Sequence, residues 1–436
     1  MRALVIAAAE EHRPPPLSPR VIAAVSLGNG LEIYDFTVYS FFSVYVAAAF
    51  FPAGNPLTSL LLAVGTFGVG FLFRPVGALV LGRYADRAGR RAAMTFTIWL
   101  MAAGTAVIAL CPGYATLGIA APLVLVVGRL LQGFSAGGEV GAATSLLLEA
   151  SGRRRGFTVS WQLASQGAAT LVGAGSGLLL TATLSASQLA AWGWRIPFLV
   201  GLLIAPVGAY IRRSIPDEHG AARGEAPPLS SLFRTQRRLM LLAIPVVMGS
   251  TVTSYVMVYF MPSFLIRVAG LPPSTSFAAS VFSSVLILTL APLAGWWSDR
   301  LPRRKPLVIA TYGLSALSIV PVFAIITGRT DPGAVMCAIG WIAGLMTIGS
   351  TAALIVVVEA FAPAVRATAF GLVYAAGVTI FGGSAQFVVT WLVARTGSPL
   401  SAAFYVMACE LLGLATLVFI PERQVGIGPA ALTPAR

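Results

Sequence analysis

The chain has 436 residues, of which 57% are hydrophobic and only 10% charged, and its mean hydropathy is +0.85. Ordinary soluble domains contain about 25% charged residues, so this composition excludes a string of soluble domains and predicts an integral membrane protein. A net charge of +14 would suggest nucleic-acid binding in a soluble domain. Here, however, the basic residues lie in short clusters between apolar stretches, as in the loops of membrane proteins, and we expect no nucleic-acid partner.

Twelve apolar runs are long enough to cross a bilayer, since a membrane-spanning helix needs about 20 apolar residues. We number them spans 1 to 12, and they cover residues 20–46, 58–82, 92–111, 116–147, 157–183, 194–211, 239–265, 275–297, 306–327, 332–357, 366–394 and 400–420. The longest polar stretch between them, residues 212–238, falls near the middle of the chain. We therefore predict two six-helix bundles, at 20–211 and 239–420, joined by this linker and flanked by tails at 1–19 and 421–436.

The positions of the basic residues predict the orientation in the membrane. Clusters in the linker and at residues 83–91, 153–155 and 300–305 fall on one side, whereas the opposite connections contain only Arg195, Arg267, Arg329 and Arg395. Cytoplasmic loops carry the excess of Lys and Arg. Both termini and the linker are therefore predicted to lie in the cytoplasm, and the strong preference for Arg over Lys is typical of a GC-rich bacterial source, which implies the inner membrane.

The cysteines and histidines give no sign of a metal or redox site. Cys111, Cys337 and Cys409 lie in or at the edge of apolar segments and form no CxxC pair. Structural disulfides and cysteine-bound metals need such clusters. His12 and His219 both fall in predicted cytoplasmic segments. We predict no metal and no bound cofactor.

A short motif occurs twice, at the same place in each half. Residues 82–91 (GRYADRAGRR) follow span 2, and residues 295–304 (GWWSDRLPRR) follow span 8, which is an offset of 213 residues. Gly, Asp, Arg and Arg-Arg recur in register. The repeat predicts two similar halves related by an axis along the membrane normal.

The first copy of this motif resembles the signature loop of the major facilitator superfamily, and residues 129–133 (RLLQG) resemble its R-x-x-Q-G motif. Pro302 replaces the usual glycine of the second copy. Several other segments are similar to the metabolite:proton symporter branch, and they are 28–36, 73–77, 132–139, 192–198 and 380–383. Within that branch, residues 50–52 and 160–166 resemble the citrate and 2-oxoglutarate carriers most.

This resemblance implies an all-α membrane protein with twelve transmembrane helices in two pseudo-symmetric six-helix bundles, the major facilitator fold. It also implies a proton-coupled symporter, not an enzyme, that imports a small organic anion such as citrate or a related di- or tricarboxylate by alternating access. Protons are then the coupling ion, and we expect the protein to work as a monomer in the bilayer.

Three other substrate classes stay open. A proton symporter for an osmolyte such as proline or betaine, or for a shikimate-like acid, would have the same fold. Osmosensing members of the branch carry a long C-terminal coiled coil, whereas only about fifteen residues follow Ile420 here. A multidrug/proton antiporter is less favoured, because span 5 contains no proline.

Six ionisable side chains fall inside predicted spans: Glu32, Asp35, Arg74, Arg129, Glu139 and Glu410. Each costs about 2.5–3.5 kcal/mol at the centre of a helix, so such residues usually face a cavity or a partner. Carboxylates outnumber arginines in this set, which favours proton binding by the least compensated carboxylate. Glu139 has a packing or a functional interpretation, and Glu410 is interpreted as structural.

Asp35 and Arg129 are the predicted proton-coupling pair, because the superfamily repeatedly places a span 1 carboxylate opposite a span 4 arginine. Glu32 is a second candidate for coupling and for substrate binding. Helical spacing puts Asn29, Glu32 and Tyr39 on one stripe of span 1, which we interpret as a cavity-facing surface. The alternative is a static ion pair that holds the N-terminal half together.

Further polar side chains are candidates for substrate contact. Besides the stripe on span 1 and Arg129, the predicted set contains Arg74, Gln162, Gln166, Tyr255, Tyr259, Tyr374 and Gln386. Gln162 and Gln166 share a helix face at i and i+4, as do Tyr255 and Tyr259. Simpler roles remain open: Arg74 can satisfy carbonyls freed by Pro75, glutamines can link helices, and tyrosines can pack at the membrane interface.

The Arg-rich loops predict a cytoplasmic gate made of ion pairs between the halves. Its members are Gly82, Asp86, Arg87, Gly89, Arg90, Glu149 and Arg155 from the N-terminal half, and Asp299, Arg303, Glu359 and Arg366 from the C-terminal half. Exposed ion pairs contribute only about 0–1 kcal/mol, which suits a contact that must break and re-form. The alternative is that these arginines only determine the topology.

Overall fold

The computed structural model describes residues 19–88, 90–137, 154–202, 206, 229–328, 331–362 and 365–422, and within these ranges the regular structure is entirely helical. Span 1 is Pro19–Phe41 with Ser43–Phe50, span 2 is Pro56–Leu72 with Arg74–Ala88, and spans 3 to 5 are Arg90–Leu110, Ala120–Ala136 and Arg155–Thr183. Span 6 is helical from residue 196 to 202. Spans 7 to 12 are Leu229–Ser254 with Met261–Arg267, Pro273–Ser298, Lys305–Gly328, Pro332–Ala360, Arg366–Ala376 with Gly383–Thr396, and Leu400–Leu417.

The helices have the length and composition of membrane spans. Eight of those described are long and apolar enough to cross a bilayer, and the two pieces of span 1, which meet at a bend of 62°, make a ninth. Spans 3 and 4 contain the shorter apolar helices Thr95–Leu110 and Ala120–Ala136. Every predicted span therefore coincides with helix where the chain is described.

Spans 7 and 11 are interrupted by π-helical turns, Tyr255–Tyr259 and Gly377–Gly382. A π turn rotates the side chains after it relative to those before it and often occurs at functional sites. In span 7 the turn carries both tyrosines of the predicted substrate set. The apolar sequence of the span gives no signal for this wider turn.

The two halves meet along spans 5 and 8 and along spans 2 and 11. A side-chain carbon at Gly167 would lie 2.7 Å from the backbone nitrogen of Leu288, and one at Gly68 would lie 2.7 Å from the carbonyl oxygen of Gly383. Glycine therefore permits backbone-to-backbone contact at both of these helix pairs, as small residues do between membrane helices.

One end of the molecule carries ion pairs that join Arg155, at the start of span 5, to the end of span 10 and to the loop after span 8. We call this end the arginine-rich face and define it by Arg155, Arg300, Arg303, Arg304 and Lys305. Near the opposite end, the hydroxyls of Ser43 and Ser263 share a hydrogen bond of 2.7 Å across the halves. There the rings of Phe42 and Phe277 also pack with centroids 5.2 Å apart.

Spans 2 and 4 touch backbone to backbone at Gly70 and Gly133. A side-chain carbon at Gly133 would overlap the carbonyl oxygen of Gly70. This contact places Arg74, one turn beyond Gly70, near Arg129, one turn before Gly133. The distance between the two spans thus controls the spacing of the two buried arginines.

We predict that Gly133→Ala lowers the melting temperature of the purified protein, because the added methyl must push span 4 away from span 2 at a cost of about 1–3 kcal/mol. Gly175→Ala in span 5 is the matched control, since nothing lies within 4 Å of the added carbon. That control should be neutral or slightly stabilising, because alanine favours helix over glycine by about 0.8–1 kcal/mol. Thermal melting in detergent measures both, and equal melting temperatures would contradict the close contact.

Candidate functional site

A cavity of about 110 Å³, lined by both apolar and polar side chains, lies between the two halves. It is lined by residues of spans 1, 5, 7, 9, 10 and 11. Its span 5 residues, 159–166, belong to the part of that helix that begins at Arg155, and its span 10 residues, 350–357, belong to the part that ends near Glu359. The cavity therefore lies in the half of the membrane layer next to the arginine-rich face.

Five predicted substrate residues line this cavity: Gln162, Gln166, Tyr255, Tyr259 and Tyr374. The Tyr259 hydroxyl donates to Gln166 Oε1 at 3.2 Å, which joins span 7 to span 5. Gln166 Nε2 in turn donates to Asn29 Oδ1 at 3.3 Å. Asn29 of span 1 is thereby connected to the cavity through Gln166.

The sequence analysis missed the hydroxyl residues that line the other wall. These are Ser250, Thr251, Ser254, Tyr312, Ser350 and Thr351. Ser250 and Ser350 share a hydrogen bond of 2.9 Å between spans 7 and 10. Serine and threonine occur throughout these spans, mostly bonded to their own helix, so their presence alone gave no signal for a cavity.

Arg74 and Arg129 lie on the same aromatic ring. The guanidinium carbon of Arg74 is 4.6 Å from the centroid of Phe36, and that of Arg129 is 4.9 Å from it. Arg129 also stacks on Tyr39 and Arg74 on Phe71, at 4.5 and 4.1 Å. A cation over an aromatic face gains about 2 kcal/mol or more when desolvated, so these rings partly replace the water that the two guanidiniums have lost.

The predicted direct pair between Asp35 and Arg129 is not formed in this structure. Arg129 Nη1 donates to Gln132 Oε1, and Gln132 Nε2 donates to the Thr105 hydroxyl oxygen at 2.8 Å. Thr105 in turn adjoins the Asp35 carboxylate. Asp35 faces spans 3 and 6, where it approaches Thr105 and Gly201, whereas Arg129 lies under the aromatic rings. The two charges are thus bridged by an amide and a hydroxyl.

Glu32 has a partner that the sequence analysis did not assign to it. Arg74 Nη2 lies 3.7 Å from Glu32 Oε1, and both side chains are buried. Span 2 therefore contributes the counter-charge for the second carboxylate of span 1. This ion pair provides a partner for the buried Arg74 guanidinium. It explains the arginine without a bond to the carbonyl groups freed by Pro75.

Six predicted substrate residues are not part of the cavity lining: Asn29, Glu32, Tyr39, Arg74, Arg129 and Gln386. Asn29, Glu32 and the two arginines have the contacts described above, and Tyr39 and Gln386 bond to other helices. The hydroxyl of Tyr39 donates to the carbonyl oxygen of Ala63 at 3.0 Å and its ring packs under Arg129. Gln386 donates through Nε2 to the Ser40 hydroxyl, which joins span 11 to span 1. Both side chains are fully buried, and neither lines the cavity in this conformation. Their contact with substrate stays a prediction.

At the arginine-rich face, Glu359 and Asp299 tie three segments together. Glu359 pairs with Arg155 at 2.9 Å and with Arg304 at 3.0 Å. Asp299 pairs with Arg304 at 3.0 Å and accepts hydrogen bonds from the backbone N–H groups of Gly156 and Phe157. The start of span 5 is thereby bonded to the end of span 10 and to the loop after span 8.

The arginine of this network is Arg304 and not the predicted Arg303. Arg304 is buried, whereas Arg303 is exposed. The glutamate Glu422 accepts hydrogen bonds from the backbone N–H groups of Arg304 and Lys305, which turns this loop inward. Adjacent arginines in a motif are equivalent in sequence, and only the fold of the loop distinguishes them.

The remaining gate predictions are only partly covered by the structure. Gly82 lies within the helix Arg74–Ala88. Arg366 donates to the carbonyl oxygen of Phe361 at 3.4 Å. For the other predicted gate residues, and for Glu139 of span 4, the structure does not describe the residue or its side chain. These gate residues are Asp86, Arg87, Gly89, Arg90 and Glu149.

The chain matches the family described as "Sugar (and other) transporter" twice, at residues 21–218 and 219–425. It is 36% identical to a citrate-proton symporter of Salmonella typhi, over 92% of this chain and 93% of the relative. It is 34% identical to an alpha-ketoglutarate permease of Escherichia coli K12, over 84% and 85%, and 30% identical to a proline/betaine transporter of Salmonella typhimurium, over 92% and 83%.

The fold is that of solved transporters of the same superfamily. A structure of the xylose transporter XylE from E. coli, in a partially occluded inward open conformation, superposes with a TM-score of 0.73 at 16% identity, over 92% of this chain and 98% of XylE. The chain therefore belongs to the sugar (and other) transporter family of the major facilitator superfamily. It is an all-α membrane protein with twelve transmembrane helices in two pseudo-symmetric six-helix bundles, and it is a transporter and not an enzyme.

We predict that Arg304→Ala destabilises the protein by about 3–5 kcal/mol, because it removes the guanidinium shared by two mostly buried carboxylates. The exposed neighbour provides the matched control, and Arg303→Ala should change stability by no more than about 0.5 kcal/mol. Thermal melting of the two purified variants measures the difference. If Arg303→Ala were the more damaging substitution, the assignment of Arg304 to the network would be wrong.

Proposed function

We propose that the protein is a proton-coupled symporter that imports a small organic anion, citrate or a related di- or tricarboxylate, by alternating access. The observation that carries this proposal is the pair of buried arginines beside the cavity. Arg129 keeps Nε and Nη2, and Arg74 keeps Nε, without a hydrogen-bond acceptor among the described residues. Arg74 Nη2 faces Glu32 at 3.7 Å, beyond hydrogen-bond distance. Two buried guanidiniums with donors left over can bind carboxylate groups.

The physical reason is the cost of an unsatisfied buried donor. A polar group left without a partner loses about 1–3 kcal/mol, and more if it is charged. A carboxylate supplies two acceptor oxygens that match the planar guanidinium. Arg74 is electrostatically coupled to Tyr255 and Tyr374, which line the cavity. An anion that enters the cavity is therefore within reach of this arginine once the tyrosines move.

The amides and phenols of the cavity complete the proposed site. Gln162 and Gln166 of span 5 face Tyr255 and Tyr259 of span 7 across the boundary between the halves. Amide and phenol groups donate to carboxylate and hydroxyl oxygens alike. A substrate held by both sides links the two halves, so its binding can favour closure of the cavity around it.

For proton coupling we propose Asp35, together with Arg129 and Glu32. Asp35 is buried, and its Oδ1 has no hydrogen-bond partner in the described part of the chain. Protonation neutralises the Asp35 carboxylate and so removes its attraction to Arg129 through the Thr105–Gln132 bridge. Release of the proton restores this attraction. A proton that enters with the anionic substrate adds a positive charge to the net charge transported. Each charge that crosses a potential of 100 mV changes the free energy of transport by about 2.3 kcal/mol.

Alternating access is proposed to rock the unit 20–211 against the unit 239–420, with 212–238 as linker and 1–19 and 421–436 as tails. The ion pairs of Arg155 with Glu359 and of Arg304 with Asp299 hold the arginine-rich face in the arrangement seen here. We place this face, both tails and the linker in the cytoplasm, since cytoplasmic loops carry the excess of Arg. The proposed location is the bacterial inner membrane, with the monomer as the working unit.

The experiment that tests the function is uptake of labelled citrate, 2-oxoglutarate, proline and shikimate into proteoliposomes under an inward proton gradient. We expect gradient-dependent uptake of a carboxylate. Uptake of proline alone would retain the mechanism and overturn the substrate class. The absence of gradient-dependent uptake of any of the four would overturn the symporter.

We predict that Asp35→Asn abolishes accumulation driven by the proton gradient but retains exchange of labelled for unlabelled citrate, because the variant binds substrate without titrating. Asp331→Asn is the matched control at the start of span 10, where asparagine can still cap the helix through the bond now made to Ala334. The control should accumulate citrate like the parent protein. Normal accumulation by Asp35→Asn would remove Asp35 from the coupling mechanism.

We predict that Arg74→Gln raises the KM for citrate on the order of 10–100-fold, since a hydrogen bond to a charged group contributes about 1.5–3 kcal/mol. Arg395→Gln at the exposed end of span 11 removes the same charge far from the cavity and should leave the KM unchanged. Initial rates of citrate uptake measure both variants. An unchanged KM in Arg74→Gln would assign Arg74 to the pair with Glu32 alone.

A further inference from the structure

Glu410 is a buried carboxylate in span 12 that the proposed coupling mechanism does not use. The hydroxyls of Thr253 of span 7 and Ser315 of span 9 each lie 2.8 Å from its Oε1. Its Oε2 is buried without a hydrogen-bond partner in the part of the chain that the structure describes. Glu410 is 3% exposed, so it lies in the apolar interior of the C-terminal half.

Among the described residues, no basic side chain interacts with Glu410. The Arg and Lys residues of the spans packed around it lie toward the helix ends: Arg234, Arg237, Arg238 and Arg267 in span 7, Lys305 in span 9, and Arg366 and Arg395 in span 11. The titratable groups that face it are Tyr312 of span 9 and Cys409 of its own helix, with Tyr405 beside Cys409. An ionised carboxylate without a cation is costly in such surroundings, so the neutral acid is the form that the site accommodates.

The hydroxyl of Thr253 supports the same protonation state. It lies 2.9 Å from the carbonyl oxygen of Gly249 and 2.8 Å from Glu410 Oε1. A hydroxyl has a single proton to donate, so it cannot donate to both oxygens at once. If Glu410 carries the proton, it donates to Thr253, and Thr253 donates to Gly249. Both short contacts are then hydrogen bonds.

Two hydroxyl side chains of the cavity wall lie on the helices that hold Glu410. Tyr312 of span 9 is close enough to Glu410 to feel its charge and lines the cavity together with Ser250 and Ser350. The Tyr312 hydroxyl is buried and has no hydrogen-bond partner in the described part of the chain. On span 9, Tyr312 precedes Ser315 by three residues, and on span 7, Ser250 precedes Thr253 by three residues. Residues at this spacing lie on one helix face, so the hydroxyls that hold Glu410 continue toward the cavity wall.

We propose that Glu410 is a second proton-binding site, which exchanges its proton with the cavity through the hydroxyls of Tyr312 and Ser250. This proposal rests on the proposed proton-coupled transport. Binding converts the carboxylate to a carboxylic acid with one proton taken from cavity water, and release returns that proton to water. The arrangement parallels that of the N-terminal half, where Asp35 is buried against the Thr105 hydroxyl of span 3. Each half then carries one titratable carboxylate.

The test combines infrared spectroscopy of the purified protein with a measurement of proton stoichiometry. In a pH titration we expect a carbonyl band of a buried carboxylic acid that persists in Asp35→Asn and disappears in Glu410→Gln. Glu422→Gln, a glutamate just beyond the same helix that bonds only backbone N–H groups in the structure, is the matched control and should leave the band unchanged. In proteoliposomes, the zero-flux potential for labelled citrate should show that Glu410→Gln carries about one proton fewer per citrate than the parent.

The outcomes separate this proposal from the proposed function. A buried-acid band unaffected by Glu410→Gln would overturn the proton site, whatever the protein transports. Loss of the band with an unchanged citrate stoichiometry would also overturn it, because Glu410 would titrate without joining the cycle. Failure of the parent protein to take up any carboxylate would overturn the function, while the infrared titration would still decide whether Glu410 binds a proton.

A second variant guards against a folding defect in Glu410→Gln. Tyr312→Phe leaves Glu410 and both of its hydroxyl donors in place but removes the hydroxyl next to the cavity. We expect the carboxylic-acid band to respond more slowly to a pH jump in Tyr312→Phe than in the parent protein. An equally fast response would overturn the path through Tyr312.

Discussion

The structure depends on how the charge of a buried arginine is stabilised inside a helix bundle that contains little water. Arg129 is completely buried, and a bare guanidinium there would be prohibitively costly. Aromatic faces cover it on three sides, through Phe36, Tyr39 and Phe67, and the Gln132 amide accepts one of its hydrogen bonds. The donors that remain without acceptors are what make this region a candidate anion site.

Close helix packing brings these charges together. Gly70 and Gly133 let spans 2 and 4 meet at their backbones, and this contact places the arginines of both helices on Phe36 of span 1. The aromatic residues thus separate two like charges and attract both of them. The same small-residue principle governs the boundary between the halves, where Gly167 permits spans 5 and 8 to touch. Packing and electrostatics are therefore coupled, since a bulkier residue at either place would separate the polar groups.

The contacts at the two ends of the molecule differ in kind. The arginine-rich face is held by mostly buried ion pairs around Glu359 and Asp299, with the partly exposed Arg155 as the partner from the other half. The opposite end is held by packed rings such as Phe42 and Phe277 and by serine hydroxyls. Between them lies the cavity, nearer the charged end. The two ends of the molecule are therefore closed by different kinds of interaction.

The sequence alone was sufficient for the class of protein, the place of the spans where the chain is described, and the burial of Glu32, Asp35, Arg74, Arg129 and Glu410. These features are local, because hydropathy over about 20 residues decides whether a segment spans the membrane. The partners of the charges were decided only by the tertiary structure. Asp35 and Glu32 are three residues apart, and the rotation of span 1 directs one toward Thr105 and the other toward Arg74.

The same reason explains the remaining differences. Arg303 and Arg304 are adjacent in the motif, and only the path of the loop buries Arg304. Tyr39 and Gln386 are polar residues within predicted spans, yet their side chains bond to neighbouring helices and do not line the cavity. Helix rotation and tilt depend on contacts between residues distant in the chain, which a hydropathy pattern does not contain. The sequence therefore predicted candidate side chains for the site, and the packing of the helices determined which of them meet.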